Sequence, residues 1–329
     1  MNLISDVEGL SVGHAQDAKL ASGVTCVLFD RPAVASIAIH GGAPGVRDAA
    51  LLEADMSVEA INGLVLSGGS AFGLDAMGGV QGFLREQGRG FHIREAIIPI
   101  VPGAIIFDLL NGGDKNWARR PPYWGLGYEA AQAARPGAFE LGTIGAGYGA
   151  TTSNLKGGLG SASATTASGH TVAAIVAVNA VGSATMGDSP YFWAAPYEQN
   201  GEFGGLGLPS VVPADALTPK IKSADPENTT IAIVATNAAL TKGQAKRLAV
   251  MAHDGMARAL RPSHAPMDGD IVFAAATGRR AGDIGPGLLA ELGLAAADCL
   301  ARAIARGVYE ATALPFPDAL PSWRDRFCF

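Results

Sequence analysis

The sequence predicts a layered α/β protein in which sheets lie buried between helices. Three observations carry this reading. Short apolar runs with no polar face recur along the chain, as expected of strands covered on both sides. Amphipathic helical segments alternate with them. The 329 residues are 48% hydrophobic and 16% charged, ample for a large core, and show neither a repeat period nor an interdomain linker.

Taken in chain order, GVTCVLF (23–29), ASIAIH (35–40) and INGLVLSG (61–68) read as strands. Ser70 is placed to cap a helix carrying Leu74, Met77, Val80 and Leu84 on one face. TVAAIVAVN (171–179) is the next strand. TIAIVATN (230–237) follows it, and then Thr241 with Gln244 forms a capping box ahead of Leu248, Met251, Ala252 and Met256. DIVFAAAT (270–277) is a further strand, and the last long helix spans about 287–307. Between Tyr197 and Asn228 runs a polar stretch rich in Gly and Pro, and an irregular segment of that length inside a compact fold is usually functional or disordered. The 44 glycines follow no collagen period and serve tight corners and close backbone approaches.

Composition removes several classes. The net charge is −6 and no basic cluster exists, so the footprint of a nucleic-acid binder is missing. Segments 96–107 and 170–187 contain no Asp, Glu, Lys or Arg, but Pro99, Pro102 and Gly103 break the first and Asn179 and Gly182 the second. Both read as buried strands rather than membrane spans. MNLISDVEGL lacks the basic and apolar regions of a secretory signal. Cys26, Cys299 and Cys328 form neither a disulfide framework nor a zinc spacing, and are expected as reduced thiols in a cytoplasm. The six histidines show no ligand spacing, so neither a metal nor a cofactor is expected.

Motif near-misses narrow the chemistry. GAGYGA (145–150) fits a relaxed dinucleotide pattern, but no helix follows it and position 170 is His where an acid is needed. GGSAFG (68–73) fails as a nucleophile elbow at Phe72, leaving Ser70 as a helix cap. LKGG (155–158) lacks phosphate-loop spacing, so Lys156 is either a solvated charge or a cation set in a cleft to depress a neighbouring pKa. Asp268-Gly269-Asp270 precedes a strand and reads alone as an acidic turn. Asn179 ends an apolar run, where its amide either makes a structural hydrogen bond or donates to a developing oxyanion.

The junction DPENTTIAIVATNAAL (225–240) joins these pieces. A Thr hydroxyl is a weak nucleophile without an adjacent base, and a cut before Thr229 would expose an α-amine whose ordinary pKa of about 7.7–8.0 suits that task. A loop before the cut and a fixed strand after it would anchor the new N-terminus.

The chain resembles the self-processing aminopeptidase and amidase family that includes L-aminopeptidase D-Ala-esterase/amidase, β-peptidyl aminopeptidases and nylon-oligomer hydrolase. The resemblance rests on ordered blocks: HGGAPGVRD (40–48), LSGGSAFGLDA (66–76), PIVPGAIIFDL (99–109), GTIGAGYGATTSNLKGGLGSAS (142–163), NTTIAIVATNAALTKGQ (228–244) and HDGMARALRPSHAPMDGDIVFAAATG (253–278). It implies a four-layer αββα sandwich, a single domain cut between Asn228 and Thr229 into parts 1–228 and 229–329, and a homotetramer of processed protomers. It implies Thr229 as nucleophile with its α-amine as base, Lys156 near that amine, Asn179 polarising the scissile carbonyl, and Asp268 with Asp270 orienting the nucleophile. Substrates would be small peptides, amino-acid amides or amide oligomers. Thr229 stands closer to the nylon-oligomer branch than to the Ser-dependent aminopeptidases. Phe107 aligns where that branch has Tyr, His40 stands where many members have Arg, and the tail PFPDALPSWRDRFCF has no counterpart. An ornithine-acetyltransferase-like transferase and a silent scaffold on the same fold are the rival readings.

Overall fold

A computed structural model describes residues 1–218, 220–222 and 228–327. The strands are β1 (Leu10–Asp17), β2 (Ser22–Ile39), β3 (Val46–Arg47), β4 (Ala60–Ser67), β5 (Phe91–Ile93), β6 (Ala96–Ile98), β7 (Gly103–Ile105), β8 (Leu159–Thr165), β9 (Thr171–Asn179), β10 (Thr229–Ala238) and β11 (Ile271–Arg280). The helices are α1 (Ala76–Glu86), α2 (Tyr123–Ala133), α3 (Lys242–Ala259), α4 (Pro286–Tyr309) and α5 (Trp323–Phe327). Hydrogen bonds link β3-β7-β4-β2-β11-β10-β9-β8 in that order, with β1 also on β2 and β5-β6 forming a separate hairpin.

The two sheet layers share one strand. The first half of β2 pairs with β1 and β4 (Val27 opposite Val12 and Leu64), and its second half pairs with β11 (Ile37 opposite Phe273). The exposed Asp30-Arg31-Pro32 marks the irregularity between the halves, so the two expected strands 23–29 and 35–40 are one.

Strand alternation then builds the layers. Ile231, Ile233 and Ala235 of β10 face inward with Val27, Phe29, Leu64, Leu66, Ile175 and Phe273, filling the space between the sheet layers. Ala232 and Val234 face outward with Val176 and Val272 against Leu248 of α3 and Leu292 and Ile304 of α4. On the opposite side Cys26, Leu28 and Val65 meet Met77, Val80 and Leu84 of α1 and Ala130 of α2. The result is the expected αββα sandwich. Each fully buried Ile or Val in it contributes about 1.5–3 kcal/mol of transfer free energy.

Local signals explain most elements. Thr241 accepts from Gln244 N, and Gln244 Oε1 accepts from Thr241 N at 2.9 Å, so the capping box forms as expected. Ser70 does not cap. It sits at φ 52° at the head of a 3-10 turn, Ser70–Asp75, that leads into α1. At Gly160 of β8 an added Cβ would lie 1.8 Å from Ala303 O, and that close approach is what seats α4 on the strand.

The stretch from Tyr197 is irregular as far as it is described. Glu202 anchors it through buried Arg302 of α4 (2.5 Å). Cys26 and Cys299 are free and buried, and burial pushes both thiols up to about 12; Cys328 lies outside the described residues. Among the described residues no helix is long and apolar enough to cross a membrane.

Candidate active site

Strand register places Thr229, Asn179, Asp268 and Asp270 around one peptide bond; Lys156 makes no hydrogen bond to it. In the β9–β10 pair, Thr229 lies opposite Asn179, the last residue of β9. β10 and β11 run parallel, so the residues ahead of each strand travel together and Asn228 bridges to Asp268. The Asn228 carbonyl accepts the Gly269 N–H at 2.9 Å and also the hydroxyl of Thr229. Both residues are nearly sealed from water, Asn228 at 1% exposure and Thr229 at 4%. At 269 only glycine leaves Thr229 undisturbed, because a Cβ there would stand 2.6 Å from Thr229 Oγ1 and 2.9 Å from Ala43 O.

The two acids are buried and unequal, which rules out a solvated turn. Asp270 Oδ1 accepts the Thr230 N–H at 2.9 Å, while its Oδ2 accepts His264 N (2.9 Å) and Nδ1 (2.8 Å). Burial pushes Asp270 up, but the hydrogen bonds and attraction of His264 outweigh it and hold the carboxyl below its usual range. Burial, reinforced by the charge and hydrogen bond of Asp270, pushes Asp268 up to about 9. At neutral pH the pair therefore keeps one proton, on Asp268, with the charge on Asp270.

Asn179, across the strand pair from Thr229, is linked through Thr151 to Lys156. Asn179 Oδ1 accepts Thr151 N (3.0 Å) and Lys222 Nζ (2.9 Å), and its Nδ2 donates to Phe107 O at 3.0 Å. Lys156 is 1% exposed, so it is not a solvated charge. Its Nζ donates to Gly147 O (3.0 Å), Ala150 O (2.8 Å) and Gly157 O (2.8 Å). Burial pulls its pKa down to about 7; Asp108 opposes that fall and Lys222 adds to it. The GAGYGA segment thus serves as a carbonyl cradle for an ammonium. Thr151, bridged to Lys156 and bonded to Asn179, links the two.

A cavity of about 390 Å³ opens on the Lys156 side, lined by Phe107, Asp108, Thr151, Lys156 and Lys222 rather than by Thr229, Asn179 or the carboxyl pair, and closed by tail residues including Pro317 and Leu320. Pro321 O accepts the Lys156 N–H at 2.8 Å, so the C-terminal tail is a wall of the cavity. Asp108 was legible only as part of the block PIVPGAIIFDL. It is buried, accepts Ser22 Oγ (2.6 Å) and Gly69 N (2.7 Å), and is pushed up by burial. The histidines, unrelated in spacing, also converge in part: His40, His253 and His264 pack together, with His40 stacked on His253 at 3.8 Å between ring centroids. Burial pushes His253 down to about 4.

The αββα sandwich holds a sealed hydroxyl, an amide and a carboxyl pair around one peptide bond, with a buried lysine and a small cavity to one side, and the proteins this chain matches make it a hydrolase of peptide or amide bonds. The pattern of Peptidase family S58 matches residues 2–319, and the chain belongs to that family. It is 42% identical to an uncharacterized aminopeptidase of Mycobacterium bovis, over 99% of this chain and 98% of that protein. It is 26% identical to a 6-aminohexanoate-oligomer endohydrolase of an Agromyces species, over 83% and 74%. Its fold is similar to that of the L-aminopeptidase D-Ala-esterase/amidase of Ochrobactrum anthropi, described as a variant of the Ntn hydrolase fold: TM-score 0.71 at 20% identity, covering 99% and 91%.

Proposed function

We propose that this hydrolase activates itself by cutting between Asn228 and Thr229, and then uses Thr229 to cleave amide bonds of small peptides, amino-acid amides or amide oligomers. The observation that carries the reading is the contact between the Thr229 hydroxyl and the Asn228 carbonyl, in a site where the Gly269 N–H already holds that oxygen. Attack of Oγ1 on the Asn228 carbonyl carbon puts negative charge on the oxygen facing Gly269, the geometry that stabilises an oxyanion. The C–N bond breaks as the hydroxyl proton passes to the departing nitrogen, leaving an ester. Water opens the ester, giving the Asn228 carboxylate and restoring the Thr229 hydroxyl beside a free α-amine.

In turnover that amine takes the hydroxyl proton, Oγ1 attacks a substrate carbonyl, and the proton leaves with the product amine. Water then hydrolyses the acyl-enzyme. Cationic Lys156 keeps the amine neutral, Asn179 Nδ2 turns from Phe107 O to the substrate oxyanion, and Asp270 fixes the start of β10 through Thr230 N–H. The cavity suits a short peptide or amide rather than a folded protein. The 42% identity to an aminopeptidase favours removal of an N-terminal residue. Exposed Phe91, Ile93 and Ile98 on the β5–β6 hairpin suit assembly of processed protomers, as a tetramer on the family resemblance, and the buried free thiols suit the cytoplasm.

Intact mass and denaturing electrophoresis test the proposal. The expected products are residues 1–228 and 229–329, and Thr229→Ala leaves one uncut, inactive chain. Full activity in an uncut protein would refute it.

A further inference from the structure

We propose that His40, His253 and His264 form a site for a divalent d-block cation, with Zn²⁺ the best fit, coupled to the active carboxyl pair through His264. One ring nitrogen from each histidine lies within 4.8 Å of the others. None of the three is needed for the chemistry proposed above, except that His264 holds Asp270.

The hydrogen bonds select the ligand atoms. Ala38 O can only accept, so His253 Nε2, 3.0 Å away, carries the proton. Nδ1 of this 2%-exposed residue is then a bare lone pair, buried and without a hydrogen-bond partner. At His264 the Nδ1–H points to the Asp270 carboxylate at 2.8 Å, leaving Nε2 as the lone-pair nitrogen. Both rings therefore carry the partner that metal-binding histidines need on the opposite nitrogen, a backbone carbonyl in one case and a carboxylate in the other.

His40 completes the set from the exposed end of β2, which gives an ion a path from solvent. Asp254 and Asp270 place negative charge near it. Lys246 opposes them, but is itself paired with Glu53 at 3.0 Å.

Three imidazoles and an open fourth position are a zinc donor set, with Zn–N of about 2.0–2.1 Å. Tetrahedral angles then require nitrogens roughly 3.4 Å apart, with each lone pair aimed at the ion, so binding requires the exposed His40 ring to leave its stack on His253, where the rings lie nearly parallel at 3.8 Å, and turn its nitrogen toward the other two. An ion on His264 Nε2 locks its Nδ1–H onto Asp270 and, through that carboxylate, onto Thr230 N–H. The ion is thus a positioning element rather than a Lewis acid for the substrate.

The test reads metal, not turnover, so it stands or falls independently of self-cleavage. Tag-free protein, stripped with chelator, is titrated with Zn²⁺ by calorimetry, and metal retained after gel filtration is measured. The expected result is one Zn²⁺ per chain, with affinity lowered at least about 10-fold in His40→Ala, a surface change that leaves the fold intact. Co²⁺ loading of the wild type should give the visible absorption of a four-coordinate site, lost in the same variant. No stoichiometric Zn²⁺ binding, or equal binding by wild type and His40→Ala, overturns the proposal.

Discussion

Replacing Gly269 by alanine tests whether the hydroxyl–carbonyl contact controls self-cleavage. The new Cβ would lie 2.6 Å from Thr229 Oγ1, 2.9 Å from Ala43 O and 3.0 Å from Thr229 Cγ2, where ordinary contact begins at 3.4 Å. Ala43 is held by its own N–H on Asp268 O at 2.8 Å, so the Thr229 side chain has to yield, by about 0.8 Å at the hydroxyl. A misplacement near 1 Å costs about 100-fold in rate, so cleavage should slow by roughly 30- to 100-fold, about 2–2.7 kcal/mol in the barrier. Overpacking costs about 1–3 kcal/mol of stability, which leaves a folded chain. The assay is the fraction cleaved against time after cell-free synthesis, with a thermal melt as control. The second substitution Thr229→Ser removes the Cγ2 contact and should recover part of the rate. Cleavage of folded Gly269→Ala at the wild-type rate would refute the reasoning.

Two further predictions concern protons. A cationic Lys156 lowers the pKa of the α-amine, which must be neutral to take the hydroxyl proton, so kcat/KM should rise with pH on a limb lying below the amine's ordinary value of about 7.7–8.0. Burial pulls Lys156 itself down to about 7, so this help is strongest in the cationic form. Lys156→Met should move that limb to higher pH; an unchanged pH profile would contradict it. Asp268 is raised from an unfolded value of about 3.9 to about 9, so the stability it contributes is fully present below the unfolded value and is lost as pH rises toward the folded one. Asp268→Asn, made in the uncut Thr229→Ala background, removes that loss. Its stability relative to the parent, measured by urea unfolding, should therefore climb from about pH 4 to 9, and a pH-independent difference would count against the assigned proton.

The central strands were legible because burial on both faces writes itself as unbroken apolar runs, and β9, β10 and β11 fall within a few residues of the expected bounds. Elements without that signature were not. β8 reads LGSASAT, small residues chosen by the close approach of α4 rather than by β propensity. β1 ends in exposed Gln16 and Asp17, and carries Gly13 because α2 packs directly on it, where an added Cβ would lie 2.0 Å from Ala130 O. α2, with two glycines and two tyrosines among eleven residues, has poor helical propensity and is held by packing on α1 and β1. Ser70 failed as a cap because the chain needs a left-handed residue at that corner, and a 3-10 turn precedes the helix.

The site divides along the same line. Thr229, Asn179, Asp268 and Asp270 could be singled out in sequence because each sits at the end of a recognisable strand, and adjacency then follows from pairing: Thr229 opposite Asn179, Asn228 beside Asp268. What pairing cannot supply is anything carried by packing between layers. His40 follows a sheet strand, His253 lies on α3 and His264 on the loop after it, so their meeting depends on how α3 seats on the second half of β2. A spacing rule detects ligands that share one local element, and these do not. The same holds for the tail, whose Pro321 reaches back to Lys156. The donor that holds the Asn228 carbonyl is hidden for a different reason: Gly269 offers only a main-chain N–H, identical in every residue but proline. Its role is visible in sequence only as the absence of a side chain between two acids.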